Sequence, residues 1–271
     1  MAGGLSFSAA PLRFGVVTDV HYADRPPAGT RHYRLGLSKL RACVGLMNSQ
    51  DVDFLVELGD FKDQDVKPAA ERTLAFLRSI EGVFREFRGP KYHVLGNHDM
   101  DSITKQQFQS VISNTGIDPG RTWYSFDRGG CHCVVLDANF RSDMAAYSRG
   151  DFDWRDTNIP PAQADWLTRD LRGASKPAIV CVHQRLDEGR EPGIANRRAI
   201  RQVLRKSGNV ALVLQGHEHS GGYQQIDGIH YYTLAASVEG DTQSDETCAI
   251  VQVGSDGSIE ITGYGRAASR N

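Results

Sequence analysis

Leu12-Arg13-Phe14-Gly15-Val16-Val17-Thr18-Asp19-Val20-His21 and Tyr92-His93-Val94-Leu95-Gly96-Asn97-His98-Asp99 are the stretches on which the fold turns. In each, a short apolar run passes within a residue or two into polar side chains. Runs this short read as buried strands. A third, Phe54 to Leu58, ends in Gly59-Asp60. After the first run, Leu37, Leu40, Val44 and Met47 recur at helical spacing; before Tyr92, so do Phe76, Ile80, Val83 and Phe87. The order strand–helix–strand–helix–strand is that of a parallel, doubly wound arrangement.

Working outward, Trp123 to Phe126 and Cys133 to Leu136 flank Arg128-Gly129-Gly130, which reads as a hairpin. Pro161 opens a helix carrying Trp166, Leu167 and Leu171, as proline at a first turn should. Ala178 to Val182 and Val210 to Leu214 are further strands on either side of a helix around Ile200 to Leu204. Beyond Gly222 the chain turns to short strands joined at Asp227-Gly228 and Asp256-Gly257. The expectation is an α/β fold, a four-layer αββα sandwich of two mixed sheets with flanking helices. Residues 1–271 are expected to form a single domain, with 1–11 a flexible N-terminal segment.

The bulk numbers set limits. Forty per cent of the residues are hydrophobic and 24% charged, a globular balance, and the net charge is −2. No basic face or tail points to stable nucleic-acid binding. The five cysteines are odd in number and sit in apolar settings, so they read as buried thiols rather than a disulfide framework. Cys131 and Cys133 would share one strand face while His132 points to the other. The N-terminus lacks the basic and continuous apolar regions of a secretory leader, and no stretch has the length of a membrane span. The expectation is a soluble, cytoplasmic protein of unstated oligomeric state.

The chemistry lies where the strands end. The first run gives Asp19-Val20-His21, the second Asp60 with Asp63 after it, the third Asn97-His98-Asp99. Later runs give His183 and Gly216-His217-Glu218-His219. Ligands of open α/β sheets bind just beyond the carboxyl ends of strands, so these five clusters should converge. Carboxylates, imidazoles and one amide together suit Mn, Fe, Zn or Mg better than a thiolate-seeking metal. Each piece alone is an ordinary turn; the ordered set in strand-end context is specific.

The series Asp19-x-His21, Gly59-Asp60, Gly96-Asn97-His98-Asp99, His183 and Gly216-His217-x-His219 resembles the calcineurin-like metallophosphoesterase superfamily over nearly the whole chain. The resemblance implies two metal ions, one held by Asp19, His21 and His219, the other by Asn97, His183 and His217, with Asp60 bridging both. It implies a hydrolase of phosphate esters or anhydrides in which a metal-bridging hydroxide attacks phosphorus in line. His98 would protonate the leaving oxygen or steady charge on the phosphoryl group. Asp63 and Asp99 would orient histidines or backbone, and Glu218 is read as structural.

A narrower set, Tyr22-Ala23-Asp24 with Arg31-His32-Tyr33-Arg34, then Gly216 to Tyr223 and Glu239-Gly240, is similar to the manganese-dependent ADP-ribose/CDP-alcohol diphosphatase branch. That branch can carry Gln where this chain has His21. The likeness implies manganese, with Fe, Zn or Co as alternatives, and a nucleotide-containing small-molecule phosphate as substrate. Arg31 and Arg34 would bind a second phosphate, while His32 or Tyr33 would stack on a base or sugar. Arg185, after His183, and Arg141 and Tyr147 are further candidates for substrate contact, and residues 143–158 for a lid. The rival readings are a cyclic-nucleotide or glycerophosphodiester phosphodiesterase, a phosphomonoesterase, and an inactive binding scaffold. The intact ligand set and His98 weigh against the scaffold.

Overall fold

The computed structural model describes residues 11–189, 192–242, 247–254 and 256–271. The segment 1–11, expected to be flexible, therefore lies outside them except for Pro11. Along the chain lie six strands and three helices: β1 (Leu12–Val17), α1 (Gly36–Ser49), β2 (Leu55–Glu57), α2 (Ala70–Phe84), β3 (Lys91–His93), α3 (Lys105–Gln109), β4 (Tyr124–Arg128), β5 (Cys131–Val135) and β6 (Ala178–Cys181). With them come α4 (Pro161–Gly173), α5 (Arg197–Ser207), β7 (Val210–Gln215), β8 (Gly222–Ile226), β9 (Ile229–Thr233), β10 (Cys248–Val253) and β11 (Ile259–Tyr264).

The strands form two mixed sheets, ordered β11-β10-β1-β2-β3 and β4-β5-β6-β7-β9-β8. Within them β1, β2 and β3 run parallel, as do β5, β6, β7 and β9, while the outer pairings are antiparallel. Alternation along each strand divides the apolar side chains between two faces. The inner faces meet in one core that includes Phe14, Phe54, Tyr92, Phe126, Ile179 and Leu212. Rings stack there at 4.6 Å for Phe14–Phe54 and 3.6 Å for Tyr92–Phe126. The outer face of the first sheet packs α1 and α2 through Leu40, Met47, Leu77 and Ile80. The second packs α4 and α5 through Leu167, Leu171, Ile200 and Leu204. The αββα sandwich follows, with each fully buried apolar side chain contributing about 2 kcal/mol.

The turn chemistry is as expected. Gly129-Gly130 and Asp227-Gly228 all have positive φ, as a tight hairpin requires. All five cysteines are buried, and His132 faces outward between Asp127 and Asp170 at 2.8 Å each. The short α3 was not marked by periodicity; five residues hold it through a capping box in which Thr104 and Gln107 serve each other's backbone. Among the described residues no helix is long and apolar enough to cross a membrane.

Candidate metal centre

The parallel strands of both sheets end at one place, and their terminal loops are tied to each other there. His183 Nδ1, at the end of β6, donates to the Leu58 carbonyl at the end of β2 at 2.9 Å, joining the two sheets. Asp19 N donates to Gly59 O at 2.9 Å, and Ser237 N and Val238 N donate to the Thr18 and Asp19 carbonyls. These loops are bent hard: Asp19, His21, Asp60 and His217 all have φ between +47° and +70°. Non-glycine residues seldom adopt that region, and such strain gathers at functional sites.

The donors converge. Asp19, His21 and His219 offer ligand atoms within 4.8 Å of one another, and so do Asp60, His183 and His217. Asp60 lies between the groups, its Oδ2 being 3.1 Å from His183 Nε2 and 3.6 Å from His21 Nε2. The decisive feature is what these atoms lack. Asp19 Oδ1, His21 Nε2, Asn97 Oδ1, His183 Nε2 and His217 Nε2 are all buried without a hydrogen-bond partner. Orphaned buried polar atoms are unfavourable by about 1–3 kcal/mol each, so five around one point call for a ligand. Since His183 Nδ1 carries the proton toward Leu58 O, its Nε2 is free to donate a lone pair. The residues therefore fit a pair of divalent cations.

Outward atoms of several of these side chains are held. Asp19 Oδ2 accepts from Thr18 Oγ1 at 2.7 Å and from His217 N at 3.1 Å. Asp60 Oδ1 accepts from His98 N at 2.7 Å. His219 Nδ1 lies 2.6 Å from Glu239 Oε1, and His21 Nδ1 3.3 Å from Asp63 Oδ2. Asp99 turns to backbone, accepting from Gly96 N at 2.8 Å and Phe61 N at 3.1 Å and so fixing the Asp60 loop.

Electrostatics point the same way. Burial opposes charge on His183, but Asp60 and Asp19 outweigh it and hold the imidazole up to about 9. Burial likewise opposes charge on His98, yet Asp101, Asp60 and Asp63 push it up to about 10. His217, buried and facing His183, is pushed down to about 3. A site that gathers carboxylates so tightly demands positive charge, and metal ions meet that demand by displacing protons.

Close approach of the loops depends on Gly96, since a Cβ there would lie 2.1 Å from Asp60 N and 2.2 Å from Asp60 Oδ1. Gly96→Ala is expected to destabilise the fold by about 3 kcal/mol. Urea unfolding checks this; an unchanged midpoint would mean that the two loops can separate freely.

Above the donors opens a cavity of about 650 Å³ lined by Arg31, Asn97, His98, Trp154, His217 and Glu239, among others. Here several expected substrate contacts need correcting. Of the basic-aromatic loop, Arg31 reaches the cavity and His32 does not line it. Tyr33 is buried at 4% exposure in the first outer core, with Arg25 over its ring, so it cannot stack on a substrate. Arg34 turns outward to Asp24 at 2.7 Å. Arg185 is buried, its fork spent on both oxygens of Asp187 and on Glu218, whose own carboxylate it neutralises. Tyr147 is buried against Phe152, and Arg141 pairs with Asp143. From residues 143–158 it is Trp154 that lines the cavity, its ring 5.4 Å from that of His217. Two contacts were not foreseen: Asp101, 2.9 Å from His98 Nδ1, and Glu239, whose Oε1 accepts from His219 Nδ1. Only the i,i+3 spacing of His98 and Asp101 hinted at the first.

A two-sheet sandwich carrying such a donor cluster at its strand ends is a metal-dependent hydrolase of phosphate esters. The chain belongs to the calcineurin-like phosphoesterase family, whose model matches residues 12–221. It is 26% identical over 275 residues to the manganese-dependent ADP-ribose/CDP-alcohol diphosphatase of Arabidopsis thaliana, covering 83% of this chain and 86% of that one. The protein of the same name from Oryza sativa subsp. japonica is 26% identical over 279 residues, covering 86% and 85%. Among solved structures, a dimetal phosphatase from Danio rerio shares the fold with a TM-score of 0.81 at 20% identity, covering 96% of this chain and 98% of that one.

Proposed function

We propose that the protein hydrolyses the pyrophosphate bond of a nucleoside-diphosphate-linked small molecule such as ADP-ribose or a CDP-alcohol. In this reading Asp19, His21 and His219 hold one cation, Asn97, His183 and His217 hold the other, and Asp60 serves both. Two such cations, manganese by the names of the relatives, supply Lewis acidity toward phosphoryl oxygens and lower the pKa of water. The chain's own groups do the rest. Glu239 and Leu58 O accept from the far nitrogens of His219 and His183 and so orient those rings, while Asp63 lies 3.3 Å from the far nitrogen of His21. His98, 28% exposed on the cavity wall with Nδ1 held by Asp101, has Nε2 left for a substrate oxygen, to which it gives a proton or a hydrogen bond.

The observation that carries the choice of substrate is the cavity itself. Its volume of about 650 Å³ suits a nucleotide-sized ligand rather than a bare phosphate. Arg31 offers a guanidinium for a second phosphate, and Trp154, 37% exposed, offers a flat wall for a base. Trp154→Ala is expected to raise KM for ADP-ribose roughly tenfold with kcat little changed, the size of one stacking contact. Initial-rate kinetics check it; an unchanged KM removes Trp154 from substrate binding.

The test of the function is chromatography of products after ADP-ribose is incubated with metal-stripped protein reconstituted with manganese. AMP and ribose 5-phosphate, abolished by chelator, are expected. No cleavage, with turnover of cyclic nucleotides, glycerophosphodiesters or monoesters instead, would overturn the pyrophosphate reading and leave the hydrolase class.

A further inference from the structure

We propose that Asp101 is the positioning residue for His98, and that Asp63 belongs instead to His21. The two carboxylates thus divide two imidazoles between them. The inference rests on the reading of His98 as the group that meets the substrate oxygen.

The distances separate the two acids. His98 Nδ1 is 2.9 Å from Asp101 Oδ2 and 3.5 Å from Asp63 Oδ2. Only the first pair meets the criteria of a hydrogen bond. The same Asp63 oxygen is closer to His21 Nδ1, at 3.3 Å, a charge contact rather than a hydrogen bond. Asp63 Oδ1 is occupied by Gln64 N at 2.7 Å, with Arg25 Nη1 at 3.5 Å. The two imidazoles lie 4.7 Å apart at 75° to each other, and Asp63 sits nearer to His21 while Asp101 sits nearer to His98.

The local fold accounts for Asp101. His98–Met100 forms a 3-10 turn, in which side chains at i and i+3 eclipse. Asp101 therefore arrives on the face of His98, and its N–H closes the turn on the His98 carbonyl at 3.1 Å. The turn is clamped from both sides. Gly150, at φ +75°, packs so close that a Cβ would lie 2.7 Å from the Asp101 carbonyl oxygen. Gly150 N and Arg149 N donate to Met100 O and Ile103 O at 2.9 and 3.1 Å. His98 N is pinned on Asp60 Oδ1, and Lys62 Nζ donates to the His98 carbonyl. With the backbone fixed, the remaining freedom of His98 is its ring torsion, which Asp101 sets.

Two readouts test this. The first is kinetic, on manganese-loaded protein with ADP-ribose. Asp101→Ala should lower kcat about 10–100-fold with KM and bound manganese unchanged, the span of an orienting partner. In the His98→Ala background the same change should alter kcat less than twofold, because its target is gone. The second readout is independent of turnover. In protein labelled with 15N-histidine and loaded with magnesium, the His98 Nδ1–H signal should be present in the wild type, lost in Asp101→Ala and kept in Asp63→Asn. Loss of that signal in Asp63→Asn but not in Asp101→Ala overturns the proposal, as does an equal kinetic effect of Asp101→Ala in both backgrounds. Full activity of His98→Ala would instead remove His98 from the reaction, and the NMR result would still decide which acid holds its ring.

Discussion

Asp60→Ala is expected to lose both metal ions together and to lower turnover by roughly a thousandfold or more, about 4 kcal/mol of transition-state stabilisation. The reason is position. Among the described residues Asp60 is the one carboxylate within 3.6 Å of both His21 Nε2 and His183 Nε2, members of the two opposite donor groups. Its other oxygen takes the His98 amide at 2.7 Å, so the substitution also loosens the loop that carries Asn97 and His98. Removing it leaves buried imidazoles without their compensating charge. Asp19→Ala, by contrast, should weaken the group it shares with His21 and His219 more than the other. Equilibrium dialysis against manganese, with metal counted per chain, distinguishes the cases; two tightly held ions in Asp60→Ala would sink the shared-ligand assignment.

His98→Ala is expected to fold, to keep both ions and to lose about 10²–10⁴-fold in kcat, the range of a single group that transfers or donates a proton. None of the atoms left without partners at the centre belongs to His98, and its ring lies at the cavity wall with its side chain 28% exposed. The loss of the bond to Asp101 is a local change of about 1 kcal/mol. Thermal unfolding, metal content and kcat measured on one preparation check all three parts. Undiminished turnover would exclude His98 from the chemistry.

The sandwich was legible because both of its signals are local. Apolar runs such as Phe54 to Leu58 mark strands, and the helical recurrence of Phe76, Ile80 and Val83 marks what covers them. The donor cluster was legible because strand ends of a parallel sheet converge, so Asp19, Asp60, Asn97, His183 and His217 needed only the topology to be brought together. What was not legible depends on where a side chain points once loops are packed. Tyr33 reads like a surface aromatic between Arg31 and Arg34, yet the turn before α1 drives it into the core. Arg185 looks placed for substrate, but Asp187 and Glu218 bury two carboxylates that need its charge. Trp154 sits at a tight turn closed by Asp156 N on Asp153 O at 2.9 Å, and the buried Tyr147 hydroxyl contacts both carbonyls of that turn. No spacing rule foretells that the turn overhangs the centre.

The most direct test of a two-cation centre is the anomalous scattering of manganese in crystals of the protein grown or soaked with that ion. Two peaks are expected on either side of the Asp60 carboxylate, one beside Asp19, His21 and His219, the other beside Asn97, His183 and His217. A single peak, or manganese bound elsewhere, would contradict the account.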